Sequence, residues 1–187
     1  EVRRELRVSS EAPVLCLAGR FHPVKGHREM IDIFSLLLRR RPDSVLMMLG
    51  DGPARATCER VIAERGIADS VRLLGYRNDV ARWLGAADVV VVPSRSEGLC
   101  RAAIEGNLCG LPAVAYDVGG LSEALPDPVC GWLVPAGEEQ RFVTAIERAL
   151  ESGIVTATHE RVRAARERFG LVEHVQRLTD CYDALEA

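Results

Sequence analysis

Short apolar runs alternate with amphipathic stretches along most of this chain. Residues 13–18, 44–49, 71–74, 88–92, 113–116 and 131–134 are brief apolar segments of the length expected for strands buried on both faces of a parallel sheet. The run Asp88-Val-Val-Val-Val-Pro93 is the purest of them, and Pro93 ends it. The intervals read as helices. Residues 26–40 place Met30, Ile33, Phe34 and Leu37 on one stripe with Arg and Asp elsewhere, a period near 3.6. Further helices are predicted over 53–65, 79–85, 99–109 and 121–125. Repeated βα units of this size predict an α/β, Rossmann-like doubly wound parallel sheet of about six strands, with helices on both faces.

Beyond Gly137 the pattern turns to consecutive helices over 138–152, 156–169 and 171–185. The last two carry narrow apolar stripes (Val162, Ala165, Phe169; Val175, Leu178, Leu185), as expected of elements that pack on an edge or cover another domain. The whole of 1–187 is read as a single domain, with 1–12 a polar lead-in and 155–187 terminal helices. At 187 residues and 48% hydrophobic, the chain can bury about 70% of its unfolded surface without staples.

A formal charge of -3 gives no electrostatic footprint for nucleic acid. Six cysteines are scattered without a C-x-x-C pair and most sit among apolar neighbours, as reduced core thiols do, so disulfides and bound zinc are not expected. No apolar run approaches a membrane span, and the start, Glu1-Val-Arg-Arg-Glu, lacks the apolar core of a signal peptide. A soluble, cytoplasmic protein is expected. Of the 24 basic residues only Lys25 is a lysine, and it stands beside Gly26.

In an open sheet of this kind, ligands sit beyond the carboxyl ends of the strands. The first such loop, Gly19-Arg20-Phe-His-Pro-Val-Lys25-Gly26, is neither G-x-G-x-x-G nor a Walker loop. Its Arg20 and Lys25 offer a bidentate fork and a point charge to a diphosphate, or form a solvated basic loop shaped by Pro23; His22 reads as a loop-shaping hydrogen bonder. Gly50-Asp-Gly-Pro53 is a tight turn for which structural duty suffices. Asn78 or Asp79 is a candidate helix cap, and Tyr76 and Arg77 either line a nucleobase pocket or form a surface turn. Gly119-Gly120 marks a close approach, to a ligand or to another loop. In Pro93-Ser-Arg-Ser-Glu97-Gly-Leu-Cys-Arg-Ala-Ala-Ile-Glu105 a helix start follows the fourth strand, and its free amides and positive dipole end favour an anion. Glu97 precedes that helix and Glu105 lies inside it, so the two are placed to reach different parts of one elongated ligand.

These pieces, in this order over about Pro13 to Leu150, resemble the carboxyl-terminal donor-binding domain of the group 1 (glycogen synthase-like) retaining glycosyltransferases of GT-B fold. The resemblance implies a hexosyltransferase that moves a sugar from a nucleotide diphosphate sugar to an acceptor, without cofactor and without metal at the diphosphate. Arg20 and Lys25 would hold the diphosphate and neutralise the charge that grows as it leaves, with Glu97 as the third catalytic group, facing the transferred sugar. Main-chain contacts from Gly98, Leu99, Cys100 and Arg101 would add the helix-start contribution, Glu105 would bind the ribose hydroxyls, and Tyr76 and Arg77 would lie along the base. Four positions depart from the family pattern: Leu99 stands for a phenylalanine, where the contact is mainly backbone, Cys100 for a glycine, Arg101 for an aliphatic residue, and Gly106 follows Glu105 where the family has alanine.

The family also has an amino-terminal acceptor-binding domain that this sequence lacks. The chain alone is therefore expected to be inactive, either as a fragment of a two-domain enzyme or as one awaiting a partner, with any membrane contact made by the missing half. The alternatives are a non-catalytic nucleotide-binding module and a GT-B-like sugar-nucleotide epimerase.

Overall fold

The computed structural model describes the backbone of residues 1–152 and 154–186, with side chains for 1–152 and 158–182. Six strands, β1 (Val14–Ala18), β2 (Val45–Leu49), β3 (Val71–Gly75), β4 (Val89–Val92), β5 (Ala113–Tyr116) and β6 (Gly131–Val134), form one parallel sheet in the order β3-β2-β1-β4-β5-β6. The order reverses between β1 and β4, whose registered pairs are Leu15–Val89 and Cys16–Val90. Chain entering one half of the sheet turns away from the other at this point, which opens a crevice past the strand ends.

Strand residues alternate between two apolar layers, as the period of two requires. Leu15, Leu17, Leu46, Met48, Val89 and Val91 face one layer, where helices α2 (His27–Leu38), α3 (Arg55–Glu64) and α7 (Glu139–Glu151) contribute Phe34, Val61 and Phe142. Val14, Cys16, Met47, Val90, Ala113 and Ala115 face the other, against Trp83 of α4 (Val80–Leu84), Ile104 of α5 (Arg101–Leu108) and Leu121 of α6 (Leu121–Ala124). Having both faces covered is what permits continuous apolar strands such as Val89–Val92. Four of the six cysteines are buried, and burial pushes the Cys16 thiol up to about 12. Cys109 and Cys181 are exposed, so most of the thiols, but not all, lie in the core as expected.

The amino-terminal segment is not a polar lead-in. Residues Val2–Glu5 form helix α1, which buries Val2 and with it Leu6. The Arg3 guanidinium donates to both oxygens of Asp88 at 2.8 Å, and Asp88 accepts from the Val14 N–H at 2.7 Å, so one carboxylate clamps α1 to the starts of β1 and β4. At the far end, α8 (Ile154–Phe169) packs along α5 through Ala165 and the buried Arg161, which donates to the Val129 carbonyl at 2.6 Å. Helix α9 (Leu171–Glu186) rests on α8 and leaves Leu171, Val175, Leu178 and Tyr182 exposed. Leu185, expected at the end of that stripe, lies outside the described side chains.

His27, at the first position of α2, is 1% exposed and stacks on Phe21 with ring centroids 4.1 Å apart. Its ring nitrogens have no hydrogen-bond partner among the described residues. Burial pushes the imidazole from 6.5 down to about 4, against the upward pull of the nearby Gly19 backbone. Below pH 6.5 the unfolded chain takes up a proton that the folded chain refuses until about 4, so this contribution is whole above pH 6.5 and is lost as pH falls. The loss amounts to about 3 kcal/mol. Urea unfolding followed from pH 7 to 4 is expected to show a steeper fall in stability for the natural chain than for His27→Phe; equal slopes would refute this origin.

Candidate functional site

The site is assembled where the loops after β1, β4 and β5 meet. After β1, Pro23–Lys25 make a single 3-10 turn in which His22 Nδ1 accepts from the Val24 N–H at 3.3 Å, and Gly26 closes it at φ +69°. A Cβ at Gly26 would lie 1.9 Å from the Pro93 carbonyl oxygen, and the Arg95 N–H donates to the Val24 carbonyl at 2.8 Å. The β1 loop is thereby pressed onto the end of β4, which no residue larger than glycine would allow at that position.

The close approach of Gly119-Gly120 is to another loop. Gly119 has φ +55°, a Cβ there would lie 1.9 Å from the Glu97 carbonyl oxygen, and the Gly120 N–H donates to that oxygen at 3.2 Å. The side chain of Glu97 is fixed as closely as its backbone. Lys25 Nζ stands 2.8 Å from both carboxylate oxygens, and the Ser94 hydroxyl donates to Oε1 at 2.6 Å. The carboxylate is only 8% exposed and the ammonium 34%, so the pair is partly desolvated and held by charge-assisted bonds. Lys25, expected with Arg20 at the diphosphate, is closed by the fold onto Glu97. Ser94 was not singled out by sequence reading, because its hydroxyl acquires this role only where the turn after β4 brings it to the Glu97 carboxylate.

Around this knot lie two adjoining clefts. The larger, about 610 Å³, opens past β1, β2 and β3 and is lined by Arg20, Tyr76, Arg77, Arg101 and Glu105. The smaller, about 290 Å³, lies at the reversal point and is lined by Arg20, Lys25, Ser94, Glu97, Cys100 and Arg101. Thus Glu105 and Glu97 occupy different clefts, and Arg20 and Arg101 belong to both. Tyr76 is 78% exposed, and the Arg77 guanidinium sits 4.8 Å over the Trp83 ring. Asp79 caps α4 by position, but its carboxylate accepts from Trp83 Nε1 at 3.0 Å rather than from a helix amide. Gly50 and Gly52 have the structural role expected, since added Cβ atoms would lie 2.0 and 2.5 Å from the Gly19 and Phe21 carbonyl oxygens.

The helix start differs from expectation by two residues. Cys100 is the cap and α5 begins at Arg101, so Leu99 and Cys100 precede the helix and its first free amides are those of Arg101, Ala102 and Ala103. Gly98 and Leu99 are exposed at the cleft rim, whereas Cys100 is buried. Burial raises the Cys100 thiol, and the neighbouring Ala103 amide works against it. Gly106 has a packing reason: a Cβ there would lie 2.5 Å from Val90 Cγ2. Among the described residues no three His, Cys, Asp or Glu side chains are grouped to hold a metal ion.

The family profile described as "Glycosyl transferases group 1" matches residues 1–168. A D-inositol 3-phosphate glycosyltransferase of Jonesia denitrificans is 33% identical over 186 residues, covering 95% of this chain and 42% of that protein. The alpha-D-kanosaminyltransferase of Streptomyces kanamyceticus is 32% identical over 154 residues, covering 80% of this chain and 40% of that one. Among solved structures, Anabaena Alr3699/HepE in complex with UDP superposes with a TM-score of 0.88 at 26% identity, over 98% of this chain and 51% of that chain. The chain therefore spans well under half the length of the curated relatives it matches and about half of that solved chain.

The glycine contacts yield a stability test. Gly119→Ala suffers both a left-handed φ and a clash with Glu97, whereas Gly66→Ala, at φ +68° with nothing within 4 Å, suffers the φ alone. Denaturant unfolding is expected to show a cost of about 1–2 kcal/mol for Gly66→Ala and clearly more for Gly119→Ala. Equal costs would mean that the loop contact is not tight.

Proposed function

Because the chain belongs to the group 1 glycosyl transferase family, we propose that it is the donor-binding half of a retaining, metal-independent glycosyltransferase that moves a sugar from a nucleotide diphosphate sugar to an acceptor. The observation that carries this reading is the pair of adjoining clefts, with Glu105 in one, Glu97 in the other, and arginines at their junction. Such a division suits an elongated ligand with a nucleoside at one end, a sugar at the other and an anionic link between.

In this reading Glu105 accepts from the two ribose hydroxyls, a task suited to an acceptor-only carboxylate. The base lies along Tyr76 and Arg77 in the larger cleft. Glu97, aimed by Ser94 and Lys25, faces the sugar and accepts from its hydroxyls. As the bond from the anomeric carbon to the diphosphate breaks, negative charge gathers on the leaving oxygen and positive charge on the ring. Arg20 and Lys25 stabilise the first and the Glu97 carboxylate the second. Glu97 is held by Ser94 and Lys25 before the ligand arrives, which spares the cost of orienting it during the reaction. The acceptor would be held by an amino-terminal half outside this chain, and the exposed apolar residues of α9 suit contact with such a partner. Unpaired, largely buried cysteines suit a reducing cytoplasm.

UDP is the first nucleotide to test, because the Anabaena relative was crystallised with UDP and with UDP-glucose. Calorimetry of the chain with UDP, GDP and ADP is expected to show binding of at least one, without turnover of its sugar donor. Arg20→Ala combined with Lys25→Ala should weaken that binding by about a hundredfold or more, from two lost charge-assisted bonds. Binding of none, or undiminished binding by the double variant, would refute the reading.

A further inference from the structure

We propose that the Arg101 side chain, beyond its main-chain amide, is a phosphate ligand that shares the donor diphosphate with Arg20. The inference rests on the donor-site reading above and gives the Arg101 side chain a defined part in it. Three observations on the molecule lead to it.

The first is position. Arg20 and Arg101 are the two charged residues common to both clefts, so they flank the passage through which any ligand spanning Glu105 and Glu97 must run. Both are exposed, and neither side chain has an ion-pair or hydrogen-bond partner among the described residues.

The second is charge balance. A diphosphate esterified at both ends carries two negative charges. Lys25 sits 2.8 Å from both oxygens of Glu97, so its charge is shared between that carboxylate and any phosphate it holds. Arg20 and a shared Lys25 leave part of the two charges unmatched, and Arg101 joins Arg20 as a cation of the passage without a partner among the described residues. Its planar fork suits two phosphate oxygens at once.

The third is that Arg101 breaks a local rule. It is the first residue of α5, whose first turn has no acidic residue. A cation at the positive end of a helix opposes the macrodipole, so this placement weakens the free helix unless an anion is bound. Departures of this kind collect at functional positions. With a phosphate in the passage the sign reverses: the guanidinium and the amides of Arg101 and Ala102 then converge on one anion.

Three proteins and two ligands test the proposal: the natural chain, Arg20→Ala and Arg101→Leu, each titrated calorimetrically with UDP and with uridine. Leucine keeps helix propensity and removes the unfavourable charge, so the thermal midpoint of ligand-free Arg101→Leu is expected to equal or exceed that of the natural chain. Its UDP affinity should fall by about tenfold or more, the effect of one charged hydrogen-bonding group, and its response to added salt should flatten. Uridine, which has no phosphate, should bind both proteins alike or be too weak to measure with either. Should UDP bind Arg101→Leu as tightly as the natural chain while Arg20→Ala weakens it, the inference fails and the donor-site reading stands. Equal losses for UDP and uridine would also overturn it, by placing Arg101 at the nucleoside. If the natural chain binds none of UDP, GDP and ADP, it is the donor-site reading that fails.

Discussion

Three loops after parallel strands come together so closely that the Pro93 and Glu97 carbonyl oxygens would lie 1.9 Å from Cβ atoms at Gly26 and Gly119. That approach is the constraint on which the site depends. Both glycines hold left-handed φ values, so the same missing side chain that permits the turn also permits the contact. Loops joined backbone to backbone in this way have little freedom, and the groups they carry are positioned as firmly as those on a strand. Lys25 precedes one of these glycines, and Glu97 is itself the contact of the other. Their meeting at 2.8 Å is a result of loop packing rather than of attraction alone.

The ion pair in turn settles what the site offers to a ligand. A carboxylate only 8% exposed would be costly by itself, and Lys25 with the Ser94 hydroxyl offsets that cost. The pair is locally neutral, and Arg20 and Arg101 stand beside it where the two clefts adjoin. Positive groups lie between the two clefts and carboxylates lie within each, a polarity that fits a ligand charged at its middle and hydroxylated on both sides.

Away from the site, polar clamps tie the outlying helices to the sheet. Asp88 collects Arg3 and the Val14 amide, and the buried Arg161 donates to the Val129 carbonyl between the sheet's edge and α8. Burial lowers the Arg161 guanidinium from its ordinary value, as expected of a cation whose acceptors are neutral carbonyls. Helix α9 is tied to α8, not to the sheet, by Arg177, which donates to the Arg168 carbonyl, and the apolar residues it exposes are the part of the fold that the rest of the chain does not explain.

The strands, their parallel direction and the loops that follow their carboxyl ends were legible in the sequence. Runs such as Val89–Val92 can only be strands covered on both faces, and parallel strands put their loops at one end. Glu105 and Glu97 were separable because one lies inside a helix and the other before it. Tertiary structure alone decided that Gly119 meets a loop, that Lys25 closes on Glu97, that α5 starts at Arg101 and that residues 2–6 fold onto the core. Each is a contact between segments far apart in sequence, where local periodicity carries no information. Val2 and Leu6 look like strays in a polar stretch until Asp88 gives Arg3 a partner. Gly106 looks like a departure until Val90 is found 2.5 Å from where its Cβ would be. Which loops lie beyond the carboxyl ends of the strands could be read from local pattern, because strand polarity follows from it. Which of their residues touch could not, because contacts depend on loop approaches that are settled by packing across the whole sheet.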